Sequence, residues 1–147
     1  MQFTEAKMGR VFVVRLHDGD HLPEVLEDFA AQNKVNSALC FFVGGAKSGK
    51  IVVGPKGEEN EPVIPVVTLL AGINEMVGVG TIFVNEEGKP KLHMHASFGR
   101  GEKVTTGCVR KGIDVWLIGE VIVLELAGAK ANRITDKQTG FELTEIQ

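Results

Sequence analysis

The stretch GRVFVVRLHDGDHLPEVLEDFAAQNK, residues 9–34, carries the signals of a strand, a turn and a helix in that order. Residues 9–16 are rich in β-branched side chains, which predicts a strand. HDGD, residues 17–20, interrupts that strand, and Asp20 or a neighbour is a candidate cap for the helix that follows. Pro23 suits the first turn of this helix. Its apolar stripe recurs at helical spacing and consists of Leu22, Val25, Leu26, Phe29 and Ala30.

Beyond residue 35 the sequence changes to short apolar or alternating runs separated by turn residues. The runs are SALCFFVGG, KIVVGP, VVTLLAGI, VGVGTIFVN, KLHMHASF, EKVTTGCV and DVWLIGEVIVLEL. Such spacing predicts a mostly antiparallel sheet folded by hairpins, with NEEGKP (85–90) as the clearest turn. The polar tail from residue 129 predicts a turn and one last edge segment. We therefore predict an α+β fold, a mostly antiparallel sheet with one main helix packed on it.

Length and composition are typical of one globular domain over residues 1–147. The chain is 44% hydrophobic and 24% charged, and its formal net charge is −3. No apolar run is long enough to span a membrane, and no block of Lys or Arg offers phosphates a basic face. The sequence lacks a signal-peptide pattern, and its two cysteines favour reduced thiols in a cytoplasmic protein.

GGAKSGK (44–50) is close to a phosphate-binding loop without completing one. Ile51 stands where that motif needs Ser or Thr, and the following residues IVVGP continue as a strand instead of opening a helix. We interpret the segment as a glycine-rich hairpin turn between two strands.

KLHMHASFGR (91–100) places two histidines two residues apart on a predicted strand. His93 and His95 then point to the same face, where two imidazoles reach one transition-metal ion if a neighbouring strand supplies a third ligand. Cys108 follows a short connection and is the candidate third ligand, since a thiolate binds zinc well. The alternative is a pair of solvated polar side chains. A cupin site is disfavoured, because Gly99 stands where its glutamate ligand belongs.

Glu120 interrupts the apolar run DVWLIGEVIVLEL. An acid within such a run needs a partner, and a structural hydrogen bond or a subunit-interface pair is favoured over catalysis. Glu120 is also a candidate second-shell residue or base for a metal site, if the sheet brings it close.

The order of these segments over residues 8–126 resembles the PPC (plants and prokaryotes conserved) domain. The residues that carry the resemblance are the strand–turn–helix opening, LHMHASFGR, TTGCV and WLIGEVIVLEL. The resemblance implies an antiparallel sheet with a helix on it, assembly as a homotrimer, and a role with DNA or a DNA-binding partner protein. It also implies a metal held by His93, His95 and the residue at 108, where many members have histidine, and a recurrent acid at Glu120.

This chain departs from the family pattern in ways that bear on DNA. It has no Arg-Gly-Arg-Pro core of an AT-hook and lacks the Gly-Arg-Phe-Glu-Ile-Leu stretch of the plant domain. The expectation is therefore a trimeric regulatory or assembly domain with a zinc site. The alternative is a metal-dependent enzyme or a small-molecule-binding protein that uses the same three residues.

Overall fold

The computed structural model describes residues 1–57, 63–110, 112–137 and 139–147. Within them the chain forms one nine-residue helix and ten strands, and no helix has the length and apolar character to span a membrane. The elements are β1 Lys7–His17, β2 His21–Leu22, α1 Glu24–Gln32, β3 Ser37–Lys56, β4 Ile64–Leu69, β5 Asn74–Val84, β6 Pro90–Arg100, β7 Lys103–Cys108, β8 Ile113–Ala127, β9 Ala131–Thr135 and β10 Glu142–Ile146.

The predicted opening is confirmed, with one correction at the helix start. Strand β1, a turn at residues 18–19 and helix α1 follow in the expected order. The helix begins after Pro23, which occupies the N-cap position, and no side chain of the described residues caps it. The cap expected from Asp20 was wrong, because the Asp20 carboxylate instead accepts a hydrogen bond from the backbone N–H of His17.

Eight strands form one antiparallel sheet, with the main order β1-β8-β3-β5-β6-β7. Strand β4 pairs with β3, and β2 pairs with β8. Strand β7 also pairs with β3, through Val52 and Cys108, so the path from β3 through β5, β6 and β7 returns to β3. The hairpin turn predicted at residues 85–90 joins β5 to β6.

The segment GGAKSGK is not a hairpin turn, and that prediction was wrong. It continues as the middle of the 20-residue strand β3, which pairs with β8 through two register shifts. A Cβ on Gly44 would lie 2.3 Å from the backbone oxygen of Ile118, and φ there is +155°. The glycines therefore permit close approach of β8 at these bulges.

The polar tail also differs from expectation. It forms a separate two-stranded sheet, β9 with β10, in place of one edge segment. This C-terminal hairpin meets the main sheet at β5, where Asn85 forms a bridge with Arg133.

Apolar side chains of the helix and of the sheet belong to one buried cluster. Leu26 and Ala30 of α1 are fully buried in it together with Phe42, Met94 and Phe98 of the strands. Glu27 of the helix also accepts hydrogen bonds from the Lys91 ammonium and the Leu92 backbone N–H at the start of β6. The strand that carries both histidines is thus fixed at its beginning.

Candidate metal centre

The sheet brings His93, His95 and Cys108 together. Residues i and i+2 of β6 share a face, and Cys108 of β7 lies directly opposite His95 in the antiparallel register. The possible ligand atoms of the three residues all lie within 4.8 Å of one another. The two Nε2 atoms are 3.2 Å apart. The strand and hairpin reasoning from the sequence predicted this juxtaposition.

A glycine in the neighbouring strand allows this arrangement. Gly80 of β5 lies opposite Met94 of β6. A Cβ on Gly80 would lie 2.8 Å from Met94 Cβ and 2.9 Å from the backbone oxygen of His93. These contacts are closer than side chains tolerate, so only glycine lets β5 and β6 approach at the histidines.

The electrostatics of the cluster favour the ligand forms of its side chains. Burial lowers the pKa of His95, and the nearby His93 and Arg110 lower it further. Burial alone would raise the pKa of Cys108, but hydrogen bonds from His93 and from Arg110 outweigh it and lower that pKa to about 7. Neutral imidazole and thiolate are the forms that bind a metal.

The donor set fits a zinc ion. Zinc takes imidazole nitrogen at about 2.0–2.1 Å and thiolate sulfur at about 2.3 Å, which places neighbouring ligand atoms of a tetrahedron roughly 3–4 Å apart. The 3.2 Å between the two imidazole nitrogens lies in that range. Three protein ligands leave one position of the tetrahedron open.

Cys40 is not part of this centre. It is fully buried in the hydrophobic core, and burial raises its pKa to about 12. It is a free thiol, as is Cys108. The interpretation of Cys40 as a small buried hydrophobe is confirmed.

Glu120 lies elsewhere on the sheet. It is exposed on β8, between Arg15 of β1 and Val43 of β3. Because β3 and β5 stand between β8 and β6, three strand spacings separate it from the histidines, about 14 Å. Within one chain the second-shell contact expected for Glu120 is not made, since a hydrogen bond spans about 3 Å.

Sequence reasoning missed two arginines beside the centre. Arg110 follows Cys108 by two residues, and its guanidinium lies over the Phe141 ring, 4.6 Å from the centroid. Arg133 of β9 is buried and donates to the backbone oxygen and hydroxyl of Thr81, the residue opposite His93. A lone arginine in the polar tail gave no signal by itself, because its position depends on where the C-terminal hairpin docks.

Comparisons with known proteins identify the family of this chain. The model of the Plants and Prokaryotes Conserved domain matches residues 3–127. The fold is similar to a metal-containing protein from Archaeoglobus fulgidus, at 28% identity and TM-score 0.83, covering 97% of this chain and 98% of that one. It is also similar to a plant- and prokaryote-conserved protein from Pyrococcus horikoshii, at 25% identity and TM-score 0.84, covering 100% and 99%.

A further similar structure, from Ralstonia eutropha, is named as a proposed DNA-binding protein. It is 19% identical with a TM-score of 0.72 and covers 92% of this chain and 90% of that one, a likeness that shows the fold. No match was found among curated proteins. The family model spans most of the chain, including both histidines and Cys108. The chain therefore belongs to the Plants and Prokaryotes Conserved domain family.

Proposed function

We propose that this protein holds a zinc ion at His93, His95 and Cys108 and acts as a small homotrimeric assembly domain. The observation that carries the metal proposal is the convergence of two imidazoles and one thiol within 4.8 Å. Similarity to a metal-containing protein at 28% identity supports it. When bound, zinc would stabilise the β6–β7 pairing and offer one open position to a small ligand.

Elemental analysis of the untagged protein tests the zinc site. The wild type should hold about one zinc per chain, and His93→Ala should lose most of it, because two ligands rarely hold zinc tightly. His17→Ala is the matched control, since His17 is exposed at the end of β1. Wild-type protein without stoichiometric metal after growth with added zinc would end the proposal.

A continuous apolar surface supports assembly of several chains. One row of cross-strand neighbours runs from β1 to the metal centre through Val13, Ile122, Phe41, Val79 and His95. The four apolar members are exposed, Val13 by 80%. Apolar side chains grouped on one exposed face are typical of an interaction surface. Because the family resemblance implies a homotrimer, we infer that further copies of the chain cover this face.

The trimer is tested by light scattering during size-exclusion chromatography. The expected mass is three times 15.9 kDa. A mass of one chain at micromolar concentration would overturn the trimer and leave the metal site standing.

The role with DNA is proposed through a partner protein. The net charge of −3 disfavours direct contact with phosphates. An electrophoretic mobility assay at low salt should therefore give no shift with the isolated protein at micromolar concentration. A shift that falls steeply with added salt would instead favour direct binding.

A further inference from the structure

A cavity of about 160 Å³ adjoins the candidate metal centre. His93 and Cys108 form part of its wall, and the C-terminal hairpin forms the opposite wall through Arg133, Phe141 and Glu142. These three residues follow residue 127, where the family match ends. The residues matched by the family model therefore include the proposed metal ligands, and the hairpin limits the size of the cavity beside them.

Positive side chains predominate around this cavity. Lys91, Arg110 and Arg133 line it, against one carboxylate, that of Glu142. Lys91 is already engaged, since its ammonium lies 3.0 Å from the Glu27 carboxylate. The charge available to a ligand thus comes mainly from the two arginines, and Glu142 offsets part of it.

Arg133 is the most unusual of these groups. The residue is only 3% exposed, yet its hydrogen bonds go to the neutral oxygens of Thr81 and Thr144. Among the described residues no carboxylate forms an ion pair with it, and its Nε has no hydrogen-bond partner. Its guanidinium also lies over the Phe83 ring, 5.3 Å from the centroid, and the Glu142 carboxylate acts on it through space without a direct ion pair. A buried cation with no directly paired carboxylate is costly, and an anion in the adjoining cavity would offset that cost.

Arg110 supplies the second positive group at the same cavity. It is exposed, and its guanidinium stacks on the ring of Phe141 in the hairpin. A stacked guanidinium keeps its N–H donors in the plane of the fork. One side of that fork is directed to the Cys108 sulfur, and the remaining donors are available to a planar oxyanion. Leu92, Phe141 and Leu143 give the rest of the wall an apolar character.

We propose that this cavity binds a compact organic carboxylate, whose negative group lies between Arg110 and Arg133 beside the metal centre. A cavity of about 150 Å³ accommodates benzene, which limits the ligand to roughly six non-hydrogen atoms. The inference extends the proposed zinc site and assigns the class of small molecule that this site admits.

Calorimetric titration with pyruvate tests the pocket, with pyruvamide as the uncharged analogue of equal size. Pyruvate should bind at least about tenfold more tightly, because charge-assisted hydrogen bonds to arginine contribute that much. Arg110→Ala should weaken pyruvate binding about tenfold, and Arg133→Met by at least as much. Lys103→Ala removes one exposed positive charge at the far end of β7 and should change affinity less than about twofold.

Circular dichroism checks that each variant folds. If Arg133→Met does not fold, the test rests on Arg110→Ala. Equal affinity for pyruvate and pyruvamide, or an unchanged affinity in Arg110→Ala, overturns the pocket. Inorganic phosphate is titrated in parallel, and tighter Arg110-dependent binding of phosphate overturns the carboxylate assignment.

Each titration is made with zinc-loaded and with zinc-depleted protein, and zinc is measured on the same samples. Zinc-loaded protein that binds no pyruvate overturns the pocket but not the zinc site. Protein that takes up no zinc during loading and still binds pyruvate overturns the zinc site but not the pocket.

Discussion

At the scale of single residues, Cys108 determines the chemical character of the proposed centre. It lies opposite His95, is almost fully buried, and occupies the position where the family resemblance led us to expect histidine. Sulfur is a softer donor than imidazole, so the identity of this one residue changes the electronic properties of a bound ion without changing the strand pairing.

Replacing Cys108 with histidine should preserve metal binding, and Cys108→Ala should reduce zinc to well below one per chain. Cobalt(II) bound to the wild type should show a sulfur-to-metal charge-transfer absorption that Cys108→His lacks. Cys40→Ala is the control and should keep both metal and absorption, because Cys40 lies in the core. An absorption that persists in Cys108→His would exclude this sulfur as the ligand.

Gly80→Ala tests the close approach of β5 and β6. An added Cβ would press on backbone atoms of β6 beside His93, so we expect the free energy of unfolding to fall by about 1–3 kcal/mol, with weaker zinc binding. Gly99→Ala, on β6 itself, is the matched control, since nothing lies within 4 Å of its Cβ position. Its effect should stay within about 0.5 kcal/mol. Equal effects of the two substitutions in urea unfolding would refute the packing argument.

At the scale of elements, the pairing of β1 with β8 is held at one end by a forked ion pair. Arg10 donates from its backbone N–H and its Nε to one Glu125 oxygen and from its Nη2 to the other. The side-chain bonds first, and the backbone bond second, lower the pKa of Glu125 from 4.5 to about 2. The carboxylate therefore contributes stability above about pH 4.5 that is lost as pH falls toward 2.

The corresponding prediction is a pH-dependent difference between wild type and Glu125→Gln. Urea unfolding should show wild type to be more stable at neutral pH, with a difference that shrinks as pH falls from 4.5 toward 2. In an Arg10→Gln background the same comparison should lose this pH dependence, because the guanidinium that lowers the pKa of Glu125 has been removed. A difference that is constant across the range would assign the effect to packing instead.

The sequence predicted those elements whose signal is local. The stripe from Leu22 to Ala30 has helical spacing, and the two histidines alternate with Met94, which packs inward. The segment GGAKSGK misled us, since glycine marks both turns and strand bulges, and only the approach of β8 distinguishes them. The position of Glu120 relative to the histidines could not be predicted for a similar reason, because the run that contains it does not reveal the order of strands in the sheet.

At the scale of the whole molecule, the apolar row from Val13 to Val79 is the proposed contact surface between copies of the protein. The row crosses four strands, so no single sequence segment displays it. It emerges only when the order β1-β8-β3-β5 is known. It also ends at His95, which places the metal centre at the margin of the proposed subunit interface.

Val13→Glu and Val79→Glu should each shift the protein from trimer to monomer at micromolar concentration. A buried, unpaired carboxylate costs several kcal/mol per chain, which exceeds what a small interface tolerates. Leu69→Glu is the control, because the exposure of Leu69 lies between those of Val79 and Val13 but Leu69 is on β4, outside the row. Trimers that survive both valine substitutions in light scattering would place the interface elsewhere.

The C-terminal hairpin has a consequence for how such proteins diversify. Residues 128–147 contain no metal ligand of the cluster, yet they close the cavity beside it and contribute its most buried cation. If the cavity binds the proposed carboxylate, substitutions in the hairpin would alter the admitted ligand without changing the three donors or the strands that align them. A chimaera that grafts this hairpin onto another member of the family would therefore be expected to transfer ligand preference separately from the proposed metal site.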